Sequence, residues 1–181
     1  MKIAATLLII LSAFSLELQA QEKINWISIE ELEAAQAKEP RKVFIDMYTN
    51  WCSWCHKMDK ATFQHPGIVK YINENYYAVR FNAERKDTVV YRGQAYSFIK
   101  NGRRGYHQLA AILMNGRLSY PTIVYLDEEL QMIQPVPGYM GPQDFERTIT
   151  YLAGDFYKSE AFEDYKKRYT IVHTAKEKEA N

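Results

Sequence analysis

Cysteine is almost absent: the 181-residue chain has two, Cys52 and Cys55, three positions apart. An exported domain that used disulfides as a scaffold would carry several widely spaced pairs, and a bridge this short constrains little of the unfolded chain. The two thiols are therefore read as kept for reactivity. A structural zinc site is poorly supplied, since the other candidate ligands are only His56, His65, His107 and His173. Charge of one sign is also lacking. The formal net charge is +1 and stays so without residues 1–20, which hold one Lys and one Glu, so nothing calls for nucleic acid or a polyanion as partner. No internal repeat is present.

The first twenty residues carry Lys2, an apolar run from Ile3 to Leu16 and a small-residue ending at Ala20, the pattern of a cleaved secretory signal. The run is short for a membrane span, and the Ala20-Gln21 junction lacks the cysteine of a lipid anchor. Export with cleavage near Ala20, to the periplasm, is expected. The organisation expected is a signal peptide at 1–20, one domain over 21–170 and a disordered tail over 171–181, whose composition is rich in Lys and Glu.

Ser28 and Glu31 form a capping box, which predicts a helix from Ser28 to Lys38 closed by Pro40. Val43 to Tyr48 has the continuous apolar character of a strand buried on both faces, with Asp46 as its one anomaly. A helix reaches from the cysteines to Phe63, another opens at Pro66, and Tyr76 to Phe81 reads as a strand. This order implies a parallel sheet with the cysteines where a strand feeds its helix. Val89 to Tyr96 suggests a hairpin, and Tyr106 to Asn115 a helix stopped by Gly116. Thr122 to Leu126 and Gln131 to Val136 form an antiparallel pair, with helices from Pro142 to Ala153 and from Ala161 to Tyr169 after them. Residues 80–117 hold eight Lys or Arg against Glu84 and Asp87, read as solvated loops or a partner-docking face.

A CxxC spacing at a helix start places both sulfurs on one face, with the first exposed and the second a turn deeper. Unpaired amides at the helix N-terminus favour an anion, so Cys52 is expected to attack as a thiolate and Cys55 to resolve the mixed disulfide. Phe44-Ile45-Asp46, five residues, then Cys-x-x-Cys preceded by Trp51 resembles the active-site segment of thioredoxin-fold proteins. Ser119-Tyr120-Pro121-Thr122 is similar to that family's cis-proline loop, and Gly138 to the glycine lining its substrate groove. The run Trp51 to Met58, followed by Phe63 and Pro66, is closer still to exported thioredoxin-like proteins of the thioredoxin_7 type. Resemblance spans roughly residues 25–155, with a stretch from Glu84 to Leu118 longer than a minimal thioredoxin needs. Ser53-Trp54 replaces the usual Gly-Pro, and Tyr120 replaces a smaller residue before the proline.

The resemblance implies an α/β thioredoxin fold: a central mixed sheet flanked by helices, with an inserted hairpin and helix region and an extra C-terminal helix. It implies thiol-disulfide exchange on the cysteines of exported client proteins. Because Ser53 and Trp54 carry no charge to stabilise the Cys52 thiolate and an ionised Asp46 would disfavour it, a reductase or isomerase is expected rather than an oxidant. Asp46 would move the proton of Cys55, while Trp51, Trp54, Tyr120, Pro121 and Gly138 would meet the substrate. No metal or organic cofactor is expected; a membrane electron-relay donor is, and the protein is expected to be a monomer. Tyr48 and Tyr139 could join Trp51, Trp54 and Tyr120 in an apolar rim, though core packing accounts for aromatics equally well. Asp46 could instead be a salt-bridged core acid. His56 reads as solvated, and His107 as a structural or surface residue. The rival readings are a redox-inactive polypeptide-binding module and, through Cys52 to His56, a c-type haem attachment motif, which would need a mostly helical chain.

Overall fold

The computed structural model describes residues 22–175, so the expected signal peptide at 1–20 and the end of the expected tail lie outside the described residues. Helix α1 (Ile29–Lys38) begins as its capping box predicts, with the Glu31 amide donating to Ser28 Oγ at 3.3 Å and the Ser28 amide donating to Glu31 Oε2 at 2.7 Å. Strand β1 (Trp26–Ile27), just before it, is too short to leave a periodic signal in sequence.

Strand β2 (Lys42–Tyr48) lies at the centre of a five-stranded sheet, followed by α2 (Ser53–Ala61), α3 (Pro66–Asn75) and β3 (Tyr76–Asn82). It runs parallel to β3 and antiparallel to β8 (Thr122–Leu126), and β9 (Met132–Pro137) closes the far edge against β8. Burial of β2 on both faces explains its unbroken apolar run. Alternate side chains divide between two apolar layers. Phe44 enters one with Met58, Phe63, Ile72 and Phe145, whereas Val43, Ile45 and Met47 enter the other with Leu32, Phe81, Leu109 and Leu113. Phe44 is ringed by Trp26, Phe63, Tyr76 and Phe145 at centroid distances of 5.3 to 6.5 Å, so its truncation to Ala would cost about 3–5 kcal/mol. By the same alternation Asp46 points to the Phe44 side, the side that Met58 of α2 covers.

Between β3 and β8, the structure has one more hairpin than the sequence reading. Strands β4 (Val89–Tyr91) and β5 (Gln94–Tyr96) form the expected hairpin; β6 (Phe98–Asn101) and β7 (Arg104–His107) form a second. Helix α4 (Gln108–Leu113) is correspondingly shorter than the helix expected over 106–115, because Tyr106 and His107 pair with Ile99 and Phe98. His107 is fully buried and caps α4, its Nδ1 accepting from the Leu109 amide at 3.2 Å, so it is structural and not a surface residue.

Helix α5 (Pro142–Ala153) packs on the sheet, and α6 (Phe162–Arg168) follows as the extra C-terminal helix. Fully buried Glu146 on α5 accepts the amides of Val172, His173 and Thr174 at 2.6 to 2.9 Å and the hydroxyls of Tyr169 and Thr174. Within the segment expected as a tail, Val172 to Thr174 are thus tied to the core by a buried carboxylate. The same strap crosses Gly67, where a Cβ would lie 1.7 Å from the His173 carbonyl oxygen, so only glycine fits.

Candidate active site

The loop leaving β2 brings Cys52 to the N-cap of α2, with the Cys52 amide donating to the Thr49 carbonyl at 3.2 Å. Cys52 and Cys55 form a disulfide with Cα atoms 5.3 Å apart. The Cys55 amide donates to Cys52 Sγ at 3.1 Å, so the helix terminus points a donor at the sulfur expected to carry charge. Cys52 was expected to be exposed and is not: it is 4% exposed and Cys55 2%. Its sulfur is drawn back against the first turn by that amide and by the bridge to Cys55.

Asp46 is 1% exposed, and burial lifts its carboxyl from 3.8 to about 7, with the Arg80 guanidinium pulling it down and Asp59 pushing it up. Arg80 stands directly beside it in the β2/β3 register, with Nε 3.5 Å from Asp46 Oδ2. No hydrogen bond closes there, so charge alone holds the pair. Arg80 Nη2 donates to Asp59 Oδ2 at 2.5 Å, and Asp59 lies one turn beyond Cys55 on the same side of α2. Asp46 is thus at once an acid with a raised pKa and a member of an ion-pair network. Arg80, Asp59, His56, Trp26 and Phe63 help line a cavity of about 810 Å³ on this side of the sheet.

On the other side of the disulfide, the Tyr120–Pro121 peptide is cis, and the Gly138 amide donates to the Pro121 carbonyl at 2.8 Å. Gly138 holds φ at +102°, a conformation that side chains disfavour, and so fixes the loop. Two aromatic pairs bracket the cysteines: Trp51 meets Tyr120 edge-on at 6.0 Å, and Trp54 meets Tyr139 at 5.4 Å. Both tryptophans remain 53% exposed. These contacts join Trp51 to Tyr120, Trp54 to Tyr139, and Pro121 to Gly138. Tyr48 does not join the rim; its ring lies under the Arg80 guanidinium at 4.7 Å. His56 is exposed; its amide donates to the Cys52 carbonyl at 3.2 Å, while its imidazole engages the Asn50 carbonyl through Nε2 at 3.0 Å and makes no hydrogen bond to the Cys52 side chain.

Sequence reading missed three charged neighbours. Arg80 is the one charge in an apolar strand, a signal that becomes informative only when strand register sets it against Asp46. Lys57 stands over Trp54 at 4.7 Å and Tyr139 at 5.0 Å, and Arg104 over Trp51 at 4.7 Å. Arg104 comes from the unforeseen hairpin.

Among proteins of known sequence, the thiol:disulfide interchange protein DsbD of Pectobacterium atrosepticum is 26% identical over 121 residues, which are 66% of this chain and 18% of that protein's length. The chain thus spans under a fifth of that relative. Among solved structures, a DsbH oxidoreductase superposes with a TM-score of 0.52 at 15% identity, covering 74% of this chain and 86% of the other. A thioredoxin-fold protein from Helicobacter pylori superposes with a TM-score of 0.50 at 22% identity, covering 71% and 79%. These likenesses place the fold. The family model of the thioredoxin-like domain matches residues 29–153, from the first residue of α1 to the last of α5, and the chain belongs to that thioredoxin-like family.

Proposed function

We propose that the protein is a thiol-disulfide oxidoreductase acting on cysteines of exported proteins, more specifically a reductase or isomerase. The observation that carries this reading is the Cys52–Cys55 disulfide at the start of α2, with a backbone amide directed at Cys52 Sγ and the buried, high-pKa Asp46 on the side of β2 that α2 covers. In the reduced protein, the Cys52 thiolate attacks a client disulfide, forming a mixed disulfide and releasing one client thiolate. Cys55 then loses its proton to Asp46 and attacks Cys52 Sγ, which releases the second client thiolate and leaves the protein oxidised. Two electrons must return from a dithiol donor, for which a membrane relay protein is the partner we propose. Arg80 and Asp59 connect Asp46 to the cavity they line, which gives its proton a polar route outward. The relative's name, a thiol:disulfide interchange protein, agrees with this chemistry.

Insulin reduction driven by dithiothreitol tests the activity, and trapping tests the roles. Cys55→Ser should accumulate mixed disulfides with clients and Cys52→Ser should not. Equal trapping by both variants contradicts the assignment, and absence of turnover with redox-independent binding of unfolded chains would favour a binding module.

A further inference from the structure

Among the described residues, the cations around the disulfide have no carboxylate partner, a condition they share with Lys86, Arg92 and Arg117 of segment 84–118, whereas Arg80 and Arg85 are paired. Arg80 is neutralised by Asp46 and Asp59, and Arg85 by Glu30 and Asp87. Lys57 and the exposed Lys100, Arg103 and Arg104 of the β6–β7 hairpin have no carboxylate within ion-pair reach among the described residues. Two of them already stand on aromatic faces next to the cysteines, Arg104 on Trp51 and Lys57 on Trp54 and Tyr139. Each cation is thereby held in place with its remaining donors free for an anion.

We propose that this surface selects client segments in which the reacting cysteine is flanked by Asp or Glu, the β6–β7 hairpin serving as the docking arm. The proposal rests on the oxidoreductase reading of the same site. One client carboxylate meets the Arg104 fork and the cations at the hairpin tip, a second meets Lys57, and the exposed faces of Trp51 and Trp54 take the intervening side chains. A protein segment fits better than an anionic membrane, because the hairpin turn, Asn101 to Arg104, offers no apolar side chain for a bilayer to bury.

Three disulfide-linked peptides of one length, with the cysteine flanked by Asp and Glu, by Ser, or by Lys, test the preference. The reduced protein should turn over the acidic peptide with kcat/KM about tenfold above the basic one, since several partly exposed charge pairs each contribute modestly. The preference should collapse in about 0.5 M salt, and the triple variant K100E/R103E/R104E should invert it. Equal rates for all three peptides overturn the proposal. Serine-for-cysteine versions, titrated by tryptophan fluorescence, report binding without chemistry. Preferential binding of the acidic version while even hydroxyethyl disulfide is not reduced would keep the docking surface and sink the oxidoreductase reading. Binding to phosphatidylglycerol vesicles with no discrimination among the peptides would show a lipid surface instead and overturn the proposal.

Discussion

Replacing Asp46 with Asn removes one titrating proton from the core and leaves the side chain's shape unchanged. Burial lifts this carboxyl from 3.8 to about 7, so the folded chain holds the proton more tightly than the unfolded chain does. The sign follows from linkage: stability falls as pH rises from about 4 to about 7, and the loss is complete above that range. A tenfold change in proton affinity is worth about 1.4 kcal/mol, so the ionised carboxylate costs the folded protein about 4 kcal/mol at about pH 8. Asn escapes this cost but buries an amide in the same place, which takes back about 1–2 kcal/mol at every pH. Urea unfolding of the oxidised wild type and of Asp46→Asn should therefore show their difference growing by about 2–3 kcal/mol in the variant's favour between about pH 5 and about pH 8. The same variant should resolve mixed disulfides about ten- to a hundredfold more slowly near neutral pH, having lost its proton acceptor. A stability difference that is the same at both pH values would refute the raised pKa, and an unchanged resolution rate would return Asp46 to a purely structural role.

Arg80→Met removes the cation that opposes the effect of burial on Asp46, so the carboxyl should titrate above the wild-type value of about 7; carbon-detected titration of Asp46 reads the midpoint, and an unmoved midpoint argues against the pairing. Redox titration against glutathione should give a potential below about −200 mV, because Ser53 and Trp54 carry no charge to stabilise the Cys52 thiolate and His56 is engaged by Asn50; a value near −120 mV would make the protein an oxidant. Glu146→Gln should cost about 2–3 kcal/mol and speed proteolysis at 172–174; the buried carboxyl is kept below 4.5 despite its desolvation, by Thr174, Val172, His173 and Tyr169, so this contribution is present above 4.5 and lost as pH falls further. Gly67→Ala should release the same strap by steric conflict with His173, and equal protease resistance of variant and wild type would contradict the placement.

What the sequence determined by itself is what short-range chemistry encodes. The capping box at Ser28, the continuous apolar run of β2, Pro66 and Pro142 at helix starts, and the CxxC spacing at the head of α2 are each written within a few residues. Asp46 stood out because a lone carboxylate in a buried strand is costly wherever that strand packs. The hairpin β6–β7 escaped because His107 reads locally as a helix opener, and does cap α4, yet also pairs with Phe98 across the hairpin. Only the tertiary structure decided which charges meet which groups: Arg80 beside Asp46 through strand register, Arg104 on Trp51 through the returning hairpin, and Glu146 beneath the C-terminal strap. It also decided that Cys52 is buried. Burial and charge pairing depend on segments distant in the chain converging on one place, and no periodicity or cap within either segment records where the other comes to rest.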